Sequence, residues 1–491
     1  MNKPIRTISI FCLLLFLALM IHATYLQYWK AGKLGDDPRN RRVLVASYSR
    51  ERGAILVGRN EPVAKSVKSK DEYQYQRTYP VPMQFAPITG WFSYYSSTGI
   101  EQTQNDVLSG DDSRLFVTKL VDLISNDPPQ GGNVLLTVNP KAQEAAYDGL
   151  KALGPNTQGA VVALEPSTGK ILAMASLPTY DPNQLASHDL GQVTQDFKTL
   201  NEDPAEPLLN RAVQTRLPPG STFKVVTAAA AIEKGLYQAD SLVPGGVTYQ
   251  LPLTSGPTGQ IDNEGRSCGA NGSKIPFTQA MEQSCNTSFA QIAEQVGPKD
   301  MAETANGFGF NSTYFDQLQP MAESVFPEKL DDAQLGQTGF GQFEVAATPL
   351  QMAMVAAGIA NGGTVMKPYI VDEEQSADLD VLDKAEPQEL SKAVSSATAA
   401  EVTKLMVATV DDGTASPGAI PGIKVAGKTG TAQSGIDDVP PYAWYISFAP
   451  AEDPEVAVAV MIQKADIPRG EIAGGVYGGP IAKAVMEAVI K

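Results

Sequence analysis

The longest apolar stretch of the chain lies at its amino terminus, where no charged residue occurs between Thr7 and Trp29. Its densest part, Ile8–Ala23, approaches the roughly 20 helical residues that cross a hydrocarbon core, and the aromatic residues at its end suit a membrane interface. We predict an uncleaved, single-pass transmembrane anchor. A cleaved signal peptide is the alternative, although no small-x-small cleavage site follows the apolar run.

Basic side chains occur on both sides of this stretch. Lys3 and Arg6 precede it, and Lys30, Lys33 and Arg39 are among those that follow it. Because long domains cross membranes largely regardless of such charges, the flanking residues leave the orientation of the anchor open.

Beyond the anchor, the apolar pattern predicts an α+β protein. Two apolar runs, Gly159–Glu165 and Lys170–Ser176, flank the turn residues Pro166–Gly169 and predict a β-hairpin. Signals from Leu208 to about Asn361 are mainly helical. Strand patterns and a closing helix follow at Lys424–Ala432, Trp444–Ala449, Val456–Gln463 and Pro480–Ile490. Strands at both ends of a helical middle predict one sheet with helices on its faces.

Residues 30–150 form a separate, mixed region with polar basic patches, short apolar runs and many aromatic residues. A break at Asp127–Gly132 precedes a predicted strand at Asn133–Val138 and a predicted helix around Ala142–Ala152. We therefore expect an anchor at residues 1–29, a smaller α+β domain at residues 30–150 and a main domain at residues 151–491.

Composition narrows the possible functions. The 491 residues include 38 Lys and Arg against 54 Asp and Glu, a net charge of -16, so we expect no nucleic-acid partner. Of two histidines, His22 lies in the apolar stretch and His188 in a polar loop. This scarcity argues against histidine-based catalysis and zinc sites, and we expect neither a metal nor a cofactor.

Three cysteines occur in the chain. Cys12 lies within the apolar stretch, whereas Cys268 and Cys285 lie 17 residues apart in the main domain. In an exported protein these two could form a disulfide, but the sequence leaves their pairing open.

The stretch Gly220–Thr227 contains the first candidate for catalysis. It joins Pro218–Gly220 to an alanine-rich apolar run, which predicts a loop entering a buried helix with Ser221 in its first turn. Lys224 lies three residues further on, on the same face. The unpaired N–H groups of a helix start can stabilise an oxyanion, although a plain N-cap explains an isolated serine equally well. A second Ser-x-x-Lys, Ser167–Lys170, lies in the hairpin turn and is explained by turn geometry.

A serine nucleophile needs a base, and the scarcity of histidine makes Lys224 the candidate. It would have to be partly neutral, through burial or a neighbouring positive charge. Lys428 on a predicted strand offers that charge, and Ser284-Cys285-Asn286 offers a hydroxyl and an amide on a turn. Strand alternation would place Lys428 and Gly430 on one face and Thr429 and Thr431 on the other.

Gly422–Thr429 also fits the phosphate-loop pattern, with four residues between the glycines followed by Lys and Thr. Such a loop must open a helix, whereas glycines and prolines surround this one. We therefore do not expect nucleotide binding.

Together, Ser221-x-x-Lys224, Ser284-x-Asn286 and Lys428-Thr429-Gly430, separated by 63 and 144 residues, resemble the three active-site motifs of penicillin-binding proteins and serine β-lactamases. The wider resemblance is to the class B, monofunctional transpeptidases. Further similar segments are Asp37–Asn40, Arg52–Ile55, Gly99–Glu101, Thr137–Asn139, Gly159–Asn183, Asn210-Arg211, Gly341-Gln342, Thr348–Gln351 and Ala360–Gly363. The turn Gly58–Glu61 departs from the Asp-Arg-Asn-Gly more usual in the family.

This resemblance implies a transpeptidase-like catalytic domain, a non-catalytic dimerisation or pedestal-like domain at residues 30–150, and an extracytoplasmic enzyme of the cell membrane that cross-links peptidoglycan stem peptides. Its implied partners are the D-Ala-D-Ala stem peptides, β-lactam antibiotics, the membrane and other proteins of cell-wall synthesis and division. The implied catalytic residues are Ser221, Lys224, Ser284 and Lys428. The implied substrate-binding residues are Asn286, Thr429, Gly430 and Thr431.

Two alternatives stay open. Water instead of an amine would accept the acyl group in a D,D-carboxypeptidase or β-lactamase. A cell-wall scaffold with a secondary catalytic site would use the same anchor and the same region 30–150.

Overall fold

The computed structural model describes residues 3–30, 45, 48–71, 73–115, 130–433, 440–468 and 473–490. The segment Asp37–Asn40, part of the family resemblance, lies outside the described residues, as do Lys33 and Arg39.

Within the described residues, the β-strands are β1 Ile55–Val57, β2 Glu61–Lys68, β3 Tyr75–Thr78, β4 Asn133–Leu136, β5 Gln158–Leu164, β6 Ile171–Leu177, β7 Leu242–Pro244, β8 Thr248–Gln250, β9 Gln260–Asp262, β10 Lys274–Pro276, β11 Thr364–Met366, β12 Val371–Gln375, β13 Val381–Lys384, β14 Glu389–Lys392, β15 Ala426–Ala432, β16 Tyr442–Ala449 and β17 Val456–Lys464.

The α-helices of the same residues are α1 Lys3–Thr24, α2 Pro82–Thr89, α3 Gly99–Thr103, α4 Asn105–Ser109, α5 Pro140–Lys151, α6 Pro182–Leu185, α7 Leu190–Glu202, α8 Arg211–Gln214, α9 Lys224–Glu233, α10 Phe277–Glu282, α11 Asn286–Val296, α12 Pro298–Gly307, α13 Asp332–Thr338, α14 Pro349–Ala360, α15 Ser396–Asp411 and α16 Gly479–Val489.

Helix α1 continues as a π-helical turn to Trp29, and none of its residues is buried in the protein. The 27 residues from Lys3 to Trp29 are long and apolar enough to cross a membrane. Because α1 contributes nothing to the core, its apolar surface requires another environment.

A five-stranded antiparallel sheet forms the centre of the main domain, in the order β15-β16-β17-β5-β6. Alternate residues of β17 enter two different cores: Ala457, Ala459 and Met461 pack towards α14, and Val458 and Val460 pack towards α5 and α16. Burial on both faces explains the nearly continuous apolar runs of β5, β6, β16 and β17.

A second sheet, in the order β13-β12-β4-β1-β2-β3, lies in the amino-terminal region. Strand β4 pairs in parallel with β1 and antiparallel with β12, so Val371 lies opposite Leu136. The sheet therefore contains strands from both sides of residue 150.

A buried ionic cluster stabilises this second region. Glu101 is fully buried and accepts hydrogen bonds from Arg52 Nε and Arg77 Nε, both at 2.6 Å, and from Tyr79 Oη at 3.1 Å. The two guanidinium groups hold the pKa of Glu101 below its usual range despite the opposing effect of burial. A buried carboxylate of this kind depends on its partners to stay charged.

The α+β architecture and the predicted hairpin are confirmed, with β5 and β6 joined by the turn at Pro166–Gly169. The turn at residues 58–61, whose sequence differs from the usual family pattern, has an unstrained backbone. The two positions of positive φ, at 55° and 65°, are occupied by Gly58 and Asn60. Glu61 already belongs to β2 and needs no such conformation. The short strands β7 to β10 were not predicted, because three residues among glycines and prolines show no periodicity.

Candidate active site

Ser221 lies on a 3-10 turn, Gly220–Phe223, that leads directly into α9. The sequence predicted a serine in the first helical turn, and the structure places it one turn earlier, with Lys224 as the first α-helical residue. Gly220 has a φ of 52°, and a Cβ there would lie 2.8 Å from the carbonyl oxygen of Thr431. This close approach holds the Ser221 turn against β15.

Lys224 is fully buried beneath this turn and lies at the centre of a hydrogen-bond network. Its Nζ donates to the carbonyl oxygen of Ser284 at 2.7 Å, to Ser284 Oγ at 3.1 Å and to Asn286 Oδ1 at 2.7 Å. The three contacts fix the amine between the serine turn and the start of α11.

Ser284 occupies the turn between α10 and α11 with a φ of 53°, an uncommon conformation for a residue other than glycine. Lys428, also fully buried, donates from Nζ to Ser284 Oγ at 2.9 Å and to the carbonyl oxygen of Thr429 at 3.0 Å. One hydroxyl therefore bridges two lysine amines.

Two buried lysine amines that bind the same hydroxyl destabilise each other's charged form. Burial, followed by the charges of Lys428 and Arg266, holds the pKa of Lys224 well below its usual range. Burial and Arg266 likewise lower the pKa of Lys428. A lowered pKa increases the fraction of the lysine that is neutral, and a neutral amine can accept a proton from a hydroxyl.

Strand β15 brings the third motif to the same place. Thr429 and Thr431 face a cavity of about 260 Å³, and Thr414 Oγ1 lies 2.8 Å from Thr429 Oγ1. Gly430 faces away from the cavity, and a Cβ there would lie 2.8 Å from the carbonyl oxygen of Pro219. Glycine at this position permits the serine loop to approach the strand, and its contact with substrate stays a prediction.

Ser221, Ser284, Asn286, Thr429 and Thr431 line this cavity together. The structure therefore brings the three sequence motifs together, with the amines of Lys224 and Lys428 beneath the cavity floor. The other lining residues are Gln260, Ile261, Asp262, Glu264, Arg266, Phe340, Gln342 and Gln433.

Sequence reasoning did not identify the charged part of this lining. Asp262 is the last residue of β9, and Glu264 and Arg266 lie in the segment that follows it. Asn286 Nδ2 at the start of α11 donates to the carbonyl oxygen of Asp262 at 3.0 Å. The signal that could have located it was the cysteine pair. Cys268 and Cys285 form a disulfide, with Cα atoms 5.8 Å apart, which ties this segment to the residue between Ser284 and Asn286.

Two sequence patterns that predicted no catalytic function also have none of the expected geometry. The second Ser-x-x-Lys lies outside the cavity, and the phosphate-loop pattern does not form a loop that opens a helix. Ser167 is exposed in the hairpin turn, and Lys170 forms an ion pair with Asp372 at 3.0 Å. Lys428 and Thr429, the end of the phosphate-loop pattern, lie within strand β15 and open no helix. Among the described residues, no group of three or more His, Cys, Asp or Glu is placed to hold a metal ion.

Comparisons with known proteins match two parts of the chain to known domains. Residues 159–487 match the penicillin-binding protein transpeptidase domain, and residues 52–134 match the penicillin-binding protein A dimerisation domain. The peptidoglycan D,D-transpeptidase PbpA of Mycolicibacterium smegmatis is 42% identical, with 100% of this chain and 99% of the relative covered. PbpA of Mycobacterium tuberculosis has the same identity and coverage.

Solved structures match the chain too. The ceftriaxone acyl-enzyme complex of penicillin-binding protein A from M. tuberculosis is 41% identical and superposes with a TM-score of 0.86, covering 91% of this chain and 100% of that chain. The predicted resemblance to penicillin-binding proteins is confirmed, and the relatives that show it are PbpA enzymes and a solved penicillin-binding protein A. The motifs, the fold and these relatives lead to one conclusion: the chain belongs to the penicillin-binding proteins that carry a transpeptidase domain.

Proposed function

We propose that the chain is a membrane-anchored peptidoglycan D,D-transpeptidase that cross-links stem peptides through an acyl-enzyme on Ser221. The observation that carries the proposal is the network in which Ser284 Oγ bridges Lys224 and Lys428 beside Ser221. The relatives named as peptidoglycan D,D-transpeptidases, and the β-lactam acyl-enzyme of the solved relative, support the same reaction.

In its neutral form Lys224 has two N–H donors and a lone pair, so it gives up one of its three donated hydrogen bonds. In acylation its lone pair accepts the proton of Ser221 Oγ while this oxygen attacks the carbonyl of the D-Ala-D-Ala bond. The backbone N–H groups of Ser221 and Thr431 stabilise the oxyanion; loss of such a donor typically costs about 10² to 10³ in rate. As the peptide bond breaks, the proton passes from Lys224 through the Ser284 hydroxyl to the nitrogen of the departing D-Ala.

In transfer, the acceptor amine attacks the Ser221 ester and gives up a proton, which returns through the same groups to Ser221 Oγ. Thr429 and Thr431 bind the terminal carboxylate of the donor. The second amide hydrogen of Asn286, whose first is donated to Asp262, binds the acyl side-chain amide. β-Lactams acylate Ser221 as mimics of the same dipeptide.

The proposal extends to the arrangement in the cell. Helix α1 spans the membrane once, and the catalytic domain at residues 151–491 is extracytoplasmic, where its substrate lies. Residues 30–150 serve as a dimerisation or pedestal-like domain that contacts other proteins of cell-wall synthesis and division.

Labelling with a fluorescent penicillin tests the nucleophile. We expect a covalent band in the native chain, none in Ser221→Ala, and a band of native strength in Ser167→Ala, the matched serine of the second Ser-x-x-Lys. No band in the native chain would remove the enzymatic function. An undiminished band in Ser221→Ala would remove the assignment of the nucleophile.

The lifetime of the labelled species separates the transpeptidase from a hydrolase on the same site. An adduct that persists for many minutes after removal of free penicillin fits a transpeptidase. Turnover within seconds would identify a β-lactamase instead.

A further inference from the structure

Arg266 and Glu264 lie in the wall of the active-site cavity without a role in the proposed mechanism. Both belong to the segment Asp262–Cys268, which we call the wall segment. We propose that Arg266 is a positioning residue, whose fixed positive charge keeps Lys224 in its neutral, proton-accepting form, and that Glu264 moderates this effect. The inference rests on the proposed acylation of Ser221 and concerns a residue that touches neither the nucleophile nor the base.

The wall segment is fixed to the second motif by several independent contacts. Asn263 is buried at 2% exposure, and its Nδ2 donates to the carbonyl oxygen of Gly246 at 2.6 Å. Its Oδ1 accepts from the backbone N–H of Thr287 at 3.1 Å. The disulfide to Cys285 closes the other end of the segment. A charge carried by this segment therefore keeps its place relative to Ser284 and Asn286.

The guanidinium of Arg266 is itself held in place. Its Nε donates to the carbonyl oxygen of Asn263 at 2.8 Å, and its Nη2 donates to Glu264 Oε2 at 2.9 Å. The Arg266 side chain is 24% exposed, whereas that of Glu264 is 54% exposed. The positive charge is thus more shielded from water than its counter-charge, so solvent screens the effect of Arg266 on the cavity less than that of Glu264.

The charged and titratable groups around Lys224 come from three elements. Lys428 approaches from β15, Ser284 and Asn286 from the α10–α11 turn, and the wall segment adds Asp262, Glu264 and Arg266. The Phe289 ring of α11 lies 5.5 Å from Lys224 Nζ and contributes no counter-charge. No carboxylate forms a hydrogen bond with either lysine amine among the described residues.

The two wall charges act on Lys224 with opposite signs. Arg266 lowers the pKa of Lys224, after the larger effects of burial and Lys428, and Glu264 raises it. Arg266 also lowers the pKa of Lys428. Removal of Arg266 must therefore leave Lys224 protonated to higher pH, and removal of Glu264 must do the reverse.

The test is the pH dependence of the second-order rate constant for acylation of the full chain by benzylpenicillin, whose carboxylate stays charged throughout. We expect Arg266→Gln to move the rising limb of the profile upwards by about half a pH unit or more, and Glu264→Gln to move it downwards. Arg266→Lys, which keeps the charge, should restore most of the native position. Arg59→Gln, an exposed arginine in the turn between β1 and β2, is the matched control and should leave the limb unchanged.

The proposal is wrong if the rising limbs of the pH profiles of Arg266→Gln and Glu264→Gln both coincide with that of the native chain. A uniform loss of rate at every pH would overturn it as well, because a direct ligand contact or a folding defect has that effect. Glu264 is exposed, so its variant tests the idea even where Arg266→Gln folds poorly. Absence of native acylation at any pH would refute the proposed function instead, which keeps the two failures distinct.

Discussion

At the scale of single residues, the bridging hydroxyl of Ser284 has the strongest consequences. It lies within hydrogen-bond distance of two buried lysine amines, at 3.1 and 2.9 Å. A hydroxyl has one proton and two acceptor positions, so it can accept from one amine while it donates to another or to a leaving group. The proposed proton path depends on this property.

We expect Ser284→Ala to lower the rate constant of penicillin acylation by about 10² or more, because general acid–base steps typically contribute 10² to 10⁴. The control is Ser288→Ala, since Ser288 is buried in the first turn of α11 and its hydroxyl has no hydrogen-bond partner among the described residues. That variant should keep the native rate within about threefold. Stopped-flow labelling measures both, and equal rates in the two variants would exclude the relay.

The lowered pKa of Lys224 predicts the pH dependence of the native enzyme. Only the neutral amine accepts a proton, so acylation should rise with pH and reach half its maximum well below pH 10.5, the ordinary lysine value. A rising limb centred near the ordinary value would contradict Lys224 as the base.

Most of the candidate site was predictable from the sequence because three motifs, each weak alone, occur together in the order and spacing of a known family. Ser221, Lys224, Ser284, Asn286 and Lys428 combine a nucleophile, two amines and two polar partners, and the structure brings all five together. The charged residues of the wall segment were not predicted from the sequence. Arg266 and Thr414 lie in loops with no motif, and only the folded chain places them beside Thr429 and the lysines.

At the scale of elements, the disulfide determines how firmly the wall segment is held. Cys268 and Cys285 close a loop with a sequence separation of 17 residues, and a crosslink of that length stabilises a protein by about 3 kcal/mol in the chain-entropy account. We expect Cys268→Ser to lower the free energy of unfolding by about 2–4 kcal/mol in urea titrations.

Thiol counting checks the pairing itself. In denaturant without reductant, the native chain should show one free thiol, that of Cys12, and three after reduction. Three free thiols before reduction would contradict the disulfide and the stability difference based on it.

The ionic cluster around Glu101 leads to a second prediction at this scale. Glu101→Gln leaves Arg52 and Arg77 buried without a counter-charge, so we expect a loss of about 3–5 kcal/mol in the free energy of unfolding at neutral pH. The exposed Glu61→Gln on β2 is the control and should change stability by less than about 0.5 kcal/mol.

The pH dependence of this effect has a definite sign. The folded protein lowers the pKa of Glu101, so its contribution is present above the unfolded value of about 4.3 and is lost as the pH falls through the folded value. The difference in stability between native chain and variant should therefore narrow in acid. A constant difference across pH would contradict a charged Glu101.

Elements with strong periodicity were predicted well, and elements defined by partners were not. The hairpin β5–β6 and the strands β16 and β17 show long apolar runs that belong to a sheet buried on both faces. Strand β12 has the sequence Val-Asp-Glu-Glu-Gln, which shows no strand pattern. Its conformation follows from pairing with β4, more than 230 residues earlier in the chain.

At the scale of the whole molecule, helix α1 is separable from the folded body. None of its residues is buried, so a chain that lacks residues 1–30 should leave the membrane fraction and keep its penicillin acylation rate within about twofold. Sedimentation of membranes followed by labelling measures both properties. A truncated chain that stays with the membranes would show a second membrane contact, and loss of acylation would show that α1 supports the catalytic body.

Strand β12 belongs to the main domain by sequence but pairs with β4 of the amino-terminal sheet, and this pairing has a mechanical consequence. In the proposed function, α1 holds the chain in the membrane and an acyl-enzyme at Ser221 joins it to the cell wall, so tension between these two points passes through the protein. The two regions between these points are joined by the pairing of β1 with β4 and of β4 with β12. The two regions separate only if several of these backbone hydrogen bonds break together, so we expect them to respond to tension as one body.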